Sequence, residues 1–366
     1  SGDLYNDRDK GRIYRISKED AEPARWTRGL KLGEATDKEL VERLMDDNIW
    51  WRQNAQRLLI DRKSTTSYRL LNDMLVSPNA MGRLHALWTL EGLNQLKPEQ
   101  IERALHDDEA GVRQNAIRLA EPYLTESPGL INSLLALKTD SDPKVRFQLL
   151  CTLGFVNNEL ASIVRQDILF KDINDKWVQS AALSANANPA PLLMKVVENS
   201  AKDPARYSLL LENLAAMLVT NEGQEGVHAI MRHVAMAEKR NRPEVHAAIL
   251  EGLARGLRER KSSLNLTDAE QIKVISNFFS HSFPAVRKAA LHVLQTFSEN
   301  TAVLDDARAD AMMIAMDERQ PEDKRADAVD LVAIQSPREY ADKLMTLFVP
   351  QQPLPVQLAT LRSLSA

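Results

Sequence analysis

A short motif returns along this chain, and its spacing limits the fold more than any other feature. In Asp47-Asn48-Ile49-Trp50-Trp51-Arg52-Gln53-Asn54-Ala55 an acidic turn leads to an arginine, and an alanine follows three residues later. The same order recurs at Asp108-Glu109-Ala110-Gly111-Val112-Arg113-Gln114-Asn115-Ala116 and at Asp140-Ser141-Asp142-Pro143-Lys144-Val145-Arg146. It returns once more at Ser282-Phe283-Pro284-Ala285-Val286-Arg287-Lys288-Ala289-Ala290. Registered on the arginine, the units fall at Arg52, Arg83, Arg113, Arg146, Gln179, Arg206, His246, Arg287, Arg325 and Gln357, with steps of 27 to 41 residues. Two helices and two short turns need about that length, so each unit is expected to be a helical hairpin stacked on the next. The expected fold is all-α: an α-α superhelix of about ten hairpins over residues 36–366. The units at 206 and 246 match the pattern least, and the longer steps around them predict longer helices or loops. Gly223-Gln224-Glu225-Gly226 and Lys261-Ser262-Ser263 are the expected protrusions.

Local signals agree with helices. Thr36 with Glu39, and Thr267 with Glu270, have the spacing of capping boxes. Ser336-Pro337 with Glu339 adds a proline at the first helical position. Asp142-Pro143 and Asp203-Pro204 place an acidic cap before such a proline. Val286, Ala289, Ala290, Val293 and Leu294 form one apolar stripe at helical spacing. Aromatic residues make up only 5% of the chain, which also leans it toward helix.

Residues 1–35 break the pattern. Gly11-Arg12-Ile13-Tyr14-Arg15-Ile16 carries β-prone residues after a polar turn and reads as a single strand. A lone strand has no partner for its backbone groups, so it is expected to be the remnant of an upstream sheet. Residues 17–35, with Pro23, Trp26, Gly29 and Gly33, read as a connector. Asp7-x-Asp9-x-Gly11 starts like a calcium loop, but Lys18 stands where that loop needs a glutamate. The chain opens mid-pattern at Asp3 and stops at Ala366 inside a helical pattern, as expected of an excised fragment.

The repeated unit resembles the HEAT-repeat family, whose second helix opens Asp-x-x-Val-Arg-x-x-Ala. Val112-Arg113, Val145-Arg146 and Val286-Arg287 match that opening best, whereas Gln179, His246 and Gln357 depart from it at the arginine. A narrower resemblance lies in the first sixty residues. The strand Gly11 to Ile16, a connector and then Trp50-Trp51-Arg52-Gln53-Asn54-Ala55-Gln56-Arg57-Leu58-Leu59 are similar to a family of exported bacterial proteins described as membrane-bound dehydrogenases. There a sugar-dehydrogenase-like β-propeller ends in such a strand and runs into HEAT repeats, often with a c-type cytochrome domain after them. The resemblance implies a periplasmic or exported parent protein, with this stretch as its middle. The sequence departs from that family in having no propeller beyond the last strand and no Cys-x-x-Cys-His haem motif.

The arginine ladder, Arg52, Arg83, Arg113, Arg146, Arg287 and Arg325, allows two readings. Arginine forks suit phosphate or acidic peptides. They also suit carboxylates on neighbouring turns, and Asp46, Asp47, Asp107, Asp108, Asp140 and Asp142 stand where such partners are needed. The second reading is favoured, which makes the ladder structural. Trp50 and Trp51 point about 100° apart on a helix, so one is expected to pack and the other to face outward. With Trp26 they are the expected contact to a neighbouring domain. Trp88 and Trp177 are expected in the core, as is Cys151, which leaves the chain no internal disulfide.

No catalytic, cofactor-binding or metal-ligating set is expected. His228 and His233 lie five residues apart and splay on a helix. Gly223-x-x-Gly226 lacks the strand and the Lys-Thr of a phosphate loop. Basic stretches at Lys239-Arg240-Asn241-Arg242 and Arg255 to Lys261 are interleaved with Glu244, Glu251 and Glu259. With a formal net charge of −4, nucleic acid is not the expected partner. Nor is membrane insertion expected, because no apolar run approaches 18 residues. The favoured function is a non-catalytic interaction and spacer module that binds protein segments or neighbouring domains. A free-standing peptide binder, a nucleic-acid binder with a basic concave stripe, and an enzyme built on the array stay open as alternatives.

Overall fold

A computed structural model describes residues 31–125, 127–184, 189–239, 242–260, 266–296, 302–334 and 339–365. The strand at residues 12–16, Trp26, the Asp7 loop, the Lys261 segment and the Ser336 cap lie outside the described residues. Among the described residues every regular element is helical.

The chain divides into two compact units, residues 1–130 and 131–366. The first contains α1 (Asp37–Arg43), α2 (Ile49–Asp61), α3 (Ser67–Met74), α4 (Ala80–Gly92), α5 (Pro98–Leu105) and α6 (Ala110–Leu119). α7 (Pro128–Ala136) begins as that unit ends. The second unit continues with α8 (Pro143–Thr152), α9 (Glu159–Lys171), α10 (Lys176–Ser184), α11 (Pro189–Asn199), α12 (Pro204–Glu222), α13 (Gln224–Lys239) and α14 (Pro243–Glu259). Its remaining helices are α15 (Asp268–Ser280), α16 (Pro284–Leu294), α17 (Ala302–Met316), α18 (Glu322–Val332), α19 (Ala341–Met345) and α20 (Leu354–Ser365).

Packing follows the order of the chain. In the first unit α1 packs on α2, α3 on α4 and α5 on α6, while α2, α4 and α6 also form a row. In the second unit α15 packs on α16, α17 on α18 and α19 on α20, and α12, α14, α16, α18 and α20 form a row of their own. Sequence neighbours and alternate helices therefore pack together through much of each unit, a repeat-like arrangement of stacked hairpins. The core lies between the rows. Val286, Ala289, Ala290, Val293 and Leu294, the stripe read from the sequence, are fully buried in it.

Several helix starts have the caps their sequences imply. Thr36 and Thr267 each accept from the amide three residues on and receive the glutamate back, closing two capping boxes. Asp142 accepts from the Lys144 amide at 2.7 Å. Asp203 does not act as a cap, because its side chain makes no bond to the start of α12. The described end of the connector is held by Arg62, which donates to the carbonyls of Ala35 at 2.7 Å and Gly33 at 2.6 Å.

The long steps near 206 and 246 are taken up by long helices: 19 residues in α12, 16 in α13 and 17 in α14. The protrusion expected at Gly223 is instead a sharp corner. Gly223 ends α12 at φ +64°, a left-handed conformation that favours glycine, and α13 starts at the next residue. α14 then lies against α12 with almost no gap. A Cβ on Gly252 would come within 2.4 Å of the Glu212 carbonyl oxygen.

Candidate functional site

The ladder arginines sit early in the second helix of their hairpins and use two different arms. One arm reaches back into the turn that precedes the helix. Arg52 Nη1 donates to the carbonyls of Asp46 at 2.6 Å and Asp47 at 2.9 Å. Arg113 repeats this with Asp107 at 2.7 Å and Asp108 at 2.9 Å, and Arg146 with Asp140 at 2.7 Å and Ser141 at 3.2 Å. Arg287 reaches His281 and Ser282, and Arg83 reaches Ser77. The acceptors stand six and five residues before each arginine. Such turn carbonyls have no partner in a helix, and buried backbone oxygens need one.

The other arm crosses to the next hairpin. Arg83 forks onto the Asp107 carboxylate at 2.7 and 2.6 Å, and Arg146 onto Asp172 at 2.7 and 2.6 Å. Arg287 is only 2% exposed and donates Nε–H to Asp327 at 2.9 Å and Nη2–H to Asp323. Burial pushes the Asp107 carboxyl up, but the Arg83 fork and the Glu109 amide hold it below the usual carboxylate range. The Asp327 carboxyl is more deeply buried, and that burial raises it even beside Arg287.

The structure therefore changes the partners read from the sequence. Of the six acids proposed, Asp107 has its carboxylate in a cross-hairpin fork. Asp46 and Asp108 meet a ladder arginine through backbone carbonyls, as does Asp47. Asp142 spends its carboxylate on the helix start. Asp172, Asp323 and Asp327 were not anticipated: Asp172 lies in the turn of a unit whose rung is Gln179, and Asp323 and Asp327 lie on α18, outside the repeated turn. Arg325 sends Nε–H to the Ala315 carbonyl at 3.0 Å and Nη2–H to Gln352 at 2.6 Å. Arg206 is not a rung: it is exposed and, among the described residues, has no hydrogen bond or ion pair. His246 is fully buried, its ring edge-on to His281 at 5.5 Å.

Gln179 and Gln357 occupy rungs without a guanidinium. Each keeps the backward arm, to Ile173 at 2.8 Å and to Gln352 at 2.6 Å. At the first rung the cross-hairpin partner is a histidine. Arg52 Nε–H donates to His85 Nε2 at 3.1 Å, so the proton of the neutral ring sits on Nδ1 and is donated to Gln56 at 2.7 Å. Burial and the Arg52 charge push the His85 pKa down to about 4.

In the second unit a separate set of polar pairs joins helices of one row. Arg255 of α14 donates to Glu212 and Asn213 of α12 at 2.8 and 2.7 Å, and His292 of α16 meets Glu251 of α14 at 2.8 Å. Arg362 of α20 donates to Asp330 of α18 at 2.8 Å. The Glu251 hydrogen bond raises the His292 pKa. Arg260 donates to the carbonyls of Val219 and Thr220, and Arg242 to that of Val197. Much of the basic stretch weighed for nucleic acid is thus engaged within the fold.

The aromatics divide by register. Trp51 is packed, with Arg43 over its ring at 4.8 Å, and Trp50 stands edge-on to it at 5.1 Å while remaining 43% exposed. Trp177, expected in the core, is 65% exposed, with Lys176 at 5.5 Å from its ring. The reason is its place two residues before the Gln179 rung, the same outward position that Trp50 holds before Arg52. Cys151 is half-buried and not fully enclosed as expected. Trp88 donates Nε1–H to Asn115 at 3.0 Å, and Arg118 stands 6.0 Å from its ring.

Together Gln53, Gln56, Arg57, Ile60, Asp61 and His85 line an open groove of about 400 Å³ between α2 and α4. It offers amide, guanidinium and imidazole groups suited to hydrogen-bonding a polar chain, and Trp88 and Asn115 continue the row. Among the described residues no group of three His, Cys, Asp or Glu side chains could hold a metal ion. None of the described helices is long and apolar enough to cross a membrane.

No protein-family model matches the sequence, and no curated protein matches it. Among solved structures, the crystal structure of an engineered protein is similar at 12% identity and a TM-score of 0.36, over 90% of this chain and 98% of that one. Likeness at that level carries no argument about fold or function.

Proposed function

We propose that residues 36–366 are a HEAT-type α-α solenoid of about ten hairpins, acting as a non-catalytic interaction and spacer module of a larger exported bacterial protein. The parent would be a propeller-type dehydrogenase with an electron-transfer domain, and this module would hold the two apart at a fixed distance and angle. One observation supports the reading: at Arg83, Arg146 and Arg287 a single side chain satisfies its own turn and also grips the next hairpin. Rungs of that kind resist sliding and opening between hairpins, as a spacer requires. Trp50 and Trp26 are the proposed contact to the upstream domain.

Sequencing the parent gene on both sides tests this directly. Propeller strands upstream and Cys-x-x-Cys-His downstream are the expected result. A reading frame confined to residues 3–366 would overturn the redox assignment. The second reading, a free-standing binder of peptides or proteins, is favoured by the polar groove at Gln56, Arg57 and His85 with Trp88 beside it. It would then stand alone.

A further inference from the structure

The second unit carries an apolar groove on the side of its first helices, away from the arginine rungs. Phe279 of α15 forms one wall, Met313 and Ile314 of α17 the other, and Asp310, Asp317 and Gln320 edge an open volume of about 400 Å³. Met313 is 66% exposed, an unusual cost for a methionine with core positions close by. The apolar surface continues beyond the groove to Ile272 on α15 and to Met316, Met345 and Phe348 toward α19, all more than 45% exposed or at that level. Thr346 lies within reach of the Met316 sulfur at 4.0 Å, which brings the residues just after α19 beside the end of α17.

Acidic side chains stand along the α17 side of this surface. Asp306, Asp310, Met313 and Asp317 fall at i, i+4, i+7 and i+11 and share one ridge, about 16 Å long at 1.5 Å per residue. Asp306 and Asp310 are exposed and, among the described residues, have no ion pair or hydrogen bond. Asp317 is held ionised, its carboxyl kept below the usual range by Arg319. On α15 the exposed positions nearest the groove are Ile272, Ser276 and Ser280, with Phe279 half-buried; Asp268 is exposed one turn before Ile272, and Lys273 is half-buried. A ligand lying along the groove therefore meets apolar contacts on one side and, on the other, the carboxylates of Asp306 and Asp310 next to the Asp317–Arg319 pair.

We propose that this groove is a docking site for a cationic amphipathic helix of a partner protein. Its apolar stripe would cover Ile272, Phe279 and Met313, and its lysines or arginines would face Asp306 and Asp310. Methionine suits such a surface, because its unbranched, polarizable side chain adapts to anchors of different shape. The assignment does not rest on the spacer reading, since it uses only the outer helices.

A fluorescein-labelled 14-residue peptide of leucine and lysine, with leucines at i, i+3, i+4 and i+7, is a direct probe. Anisotropy titrations would compare the unaltered protein with Asp310→Lys, Met313→Ser and the distant exposed control Glu198→Lys, each confirmed folded by circular dichroism. Affinity should fall at least about fivefold for Asp310→Lys and for Met313→Ser, and less than twofold for Glu198→Lys. Equal losses for Asp310→Lys and Glu198→Lys would mean that the peptide follows net charge alone, and the site is then wrong. Unchanged binding by Met313→Ser overturns it as well, as does no binding of the peptide to the unaltered protein.

Discussion

Arg146 is the clearest test of whether the ladder holds the hairpins together. Its side chain is 7% exposed and that of Asp172 is 17% exposed, so both charges are largely out of water. The pair is bidentate, and the same guanidinium also satisfies two turn carbonyls. Arg146→Ala leaves a desolvated carboxylate and those carbonyls without their donor. Removing one partner of a buried pair costs about 3–5 kcal/mol, and the residual water access of Asp172 places this case near 3. Arg146→Gln should cost less, about 2 kcal/mol. Gln179 demonstrates that glutamine keeps the backward bond, which contributes about 1 kcal/mol.

Urea unfolding followed by far-ultraviolet circular dichroism measures both variants, with partner affinity recorded alongside and expected unchanged. Adding Asp172→Ala to Arg146→Ala should recover about 1–2 kcal/mol, because the stranded charge is then gone. An Arg146→Ala protein within about 0.5 kcal/mol of the parent would place this pair among surface ion pairs, which contribute little. A double variant that loses the sum of both single costs would refute the stranded-charge account. A loss of partner binding at undiminished stability would refute the structural reading of the ladder altogether.

The histidines predict opposite pH windows. His85 is held at about 4 and titrates near 6.5 in the unfolded chain, so stability should fall as the pH drops from about 6.5 toward 4. The full shift corresponds to about 3 kcal/mol, which partial exposure of the ring screens to about 1–2; the difference in urea midpoint between the parent and His85→Gln, taken at pH 7.5 and 5, isolates it. The His292 pKa is raised by Glu251, so its contribution is complete below the unfolded value and is lost as the pH rises through the folded one. Nuclear magnetic resonance titration of the ring should find it above 6.5, and Glu251→Gln should lower it. Gly252→Ala should destabilise by about 1–3 kcal/mol, because the added Cβ would meet the Glu212 carbonyl. Gly111→Ala, with nothing within 4 Å, should instead gain about 0.5 kcal/mol in the same melts.

The hairpin order was legible because it depends on local information. Apolar spacing, Thr36 and Thr267 caps and the Val-Arg opening all act within one or two turns of helix, and the structure has helices at each. Partners across hairpins were not legible in the same way. Asp172 and Asp327 are ordinary surface-looking acids in the sequence, and only stacking brings them to Arg146 and Arg287. His85 gave no sign that it would receive Arg52, since its partner lies 33 residues away. Trp177 was misplaced for a related reason. A helical stripe gives the buried face only to within about one residue, and one residue turns a side chain through about 100°. The Met313 groove escaped notice because exposed apolar residues read as core until the packing is known.

The variation among rungs separates what each arm is for. At Gln179, where glutamine replaces arginine, the backward bond survives and, among the described residues, no cross-hairpin fork is made; Gln357, in the last described helix, keeps the backward bond too. The backward bond is therefore the local requirement, because a turn that enters a helix exposes carbonyls that no helical amide can reach. The fork is an addition that an arginine allows and a glutamine cannot make, being too short and uncharged. Arg52 supports the same division: it keeps both turn carbonyls, yet crosses to a neutral histidine in place of a carboxylate. Coupling between hairpins should then vary along each unit, strongest at Arg146 and Arg287, weaker at Arg52 and weakest at Gln179. Amide hydrogen exchange would report this as slow exchange in α8 and α16, faster exchange in α2 and the fastest in α10. Uniform exchange across these second helices would mean that apolar stacking alone sets the coupling and that the fork adds nothing to it.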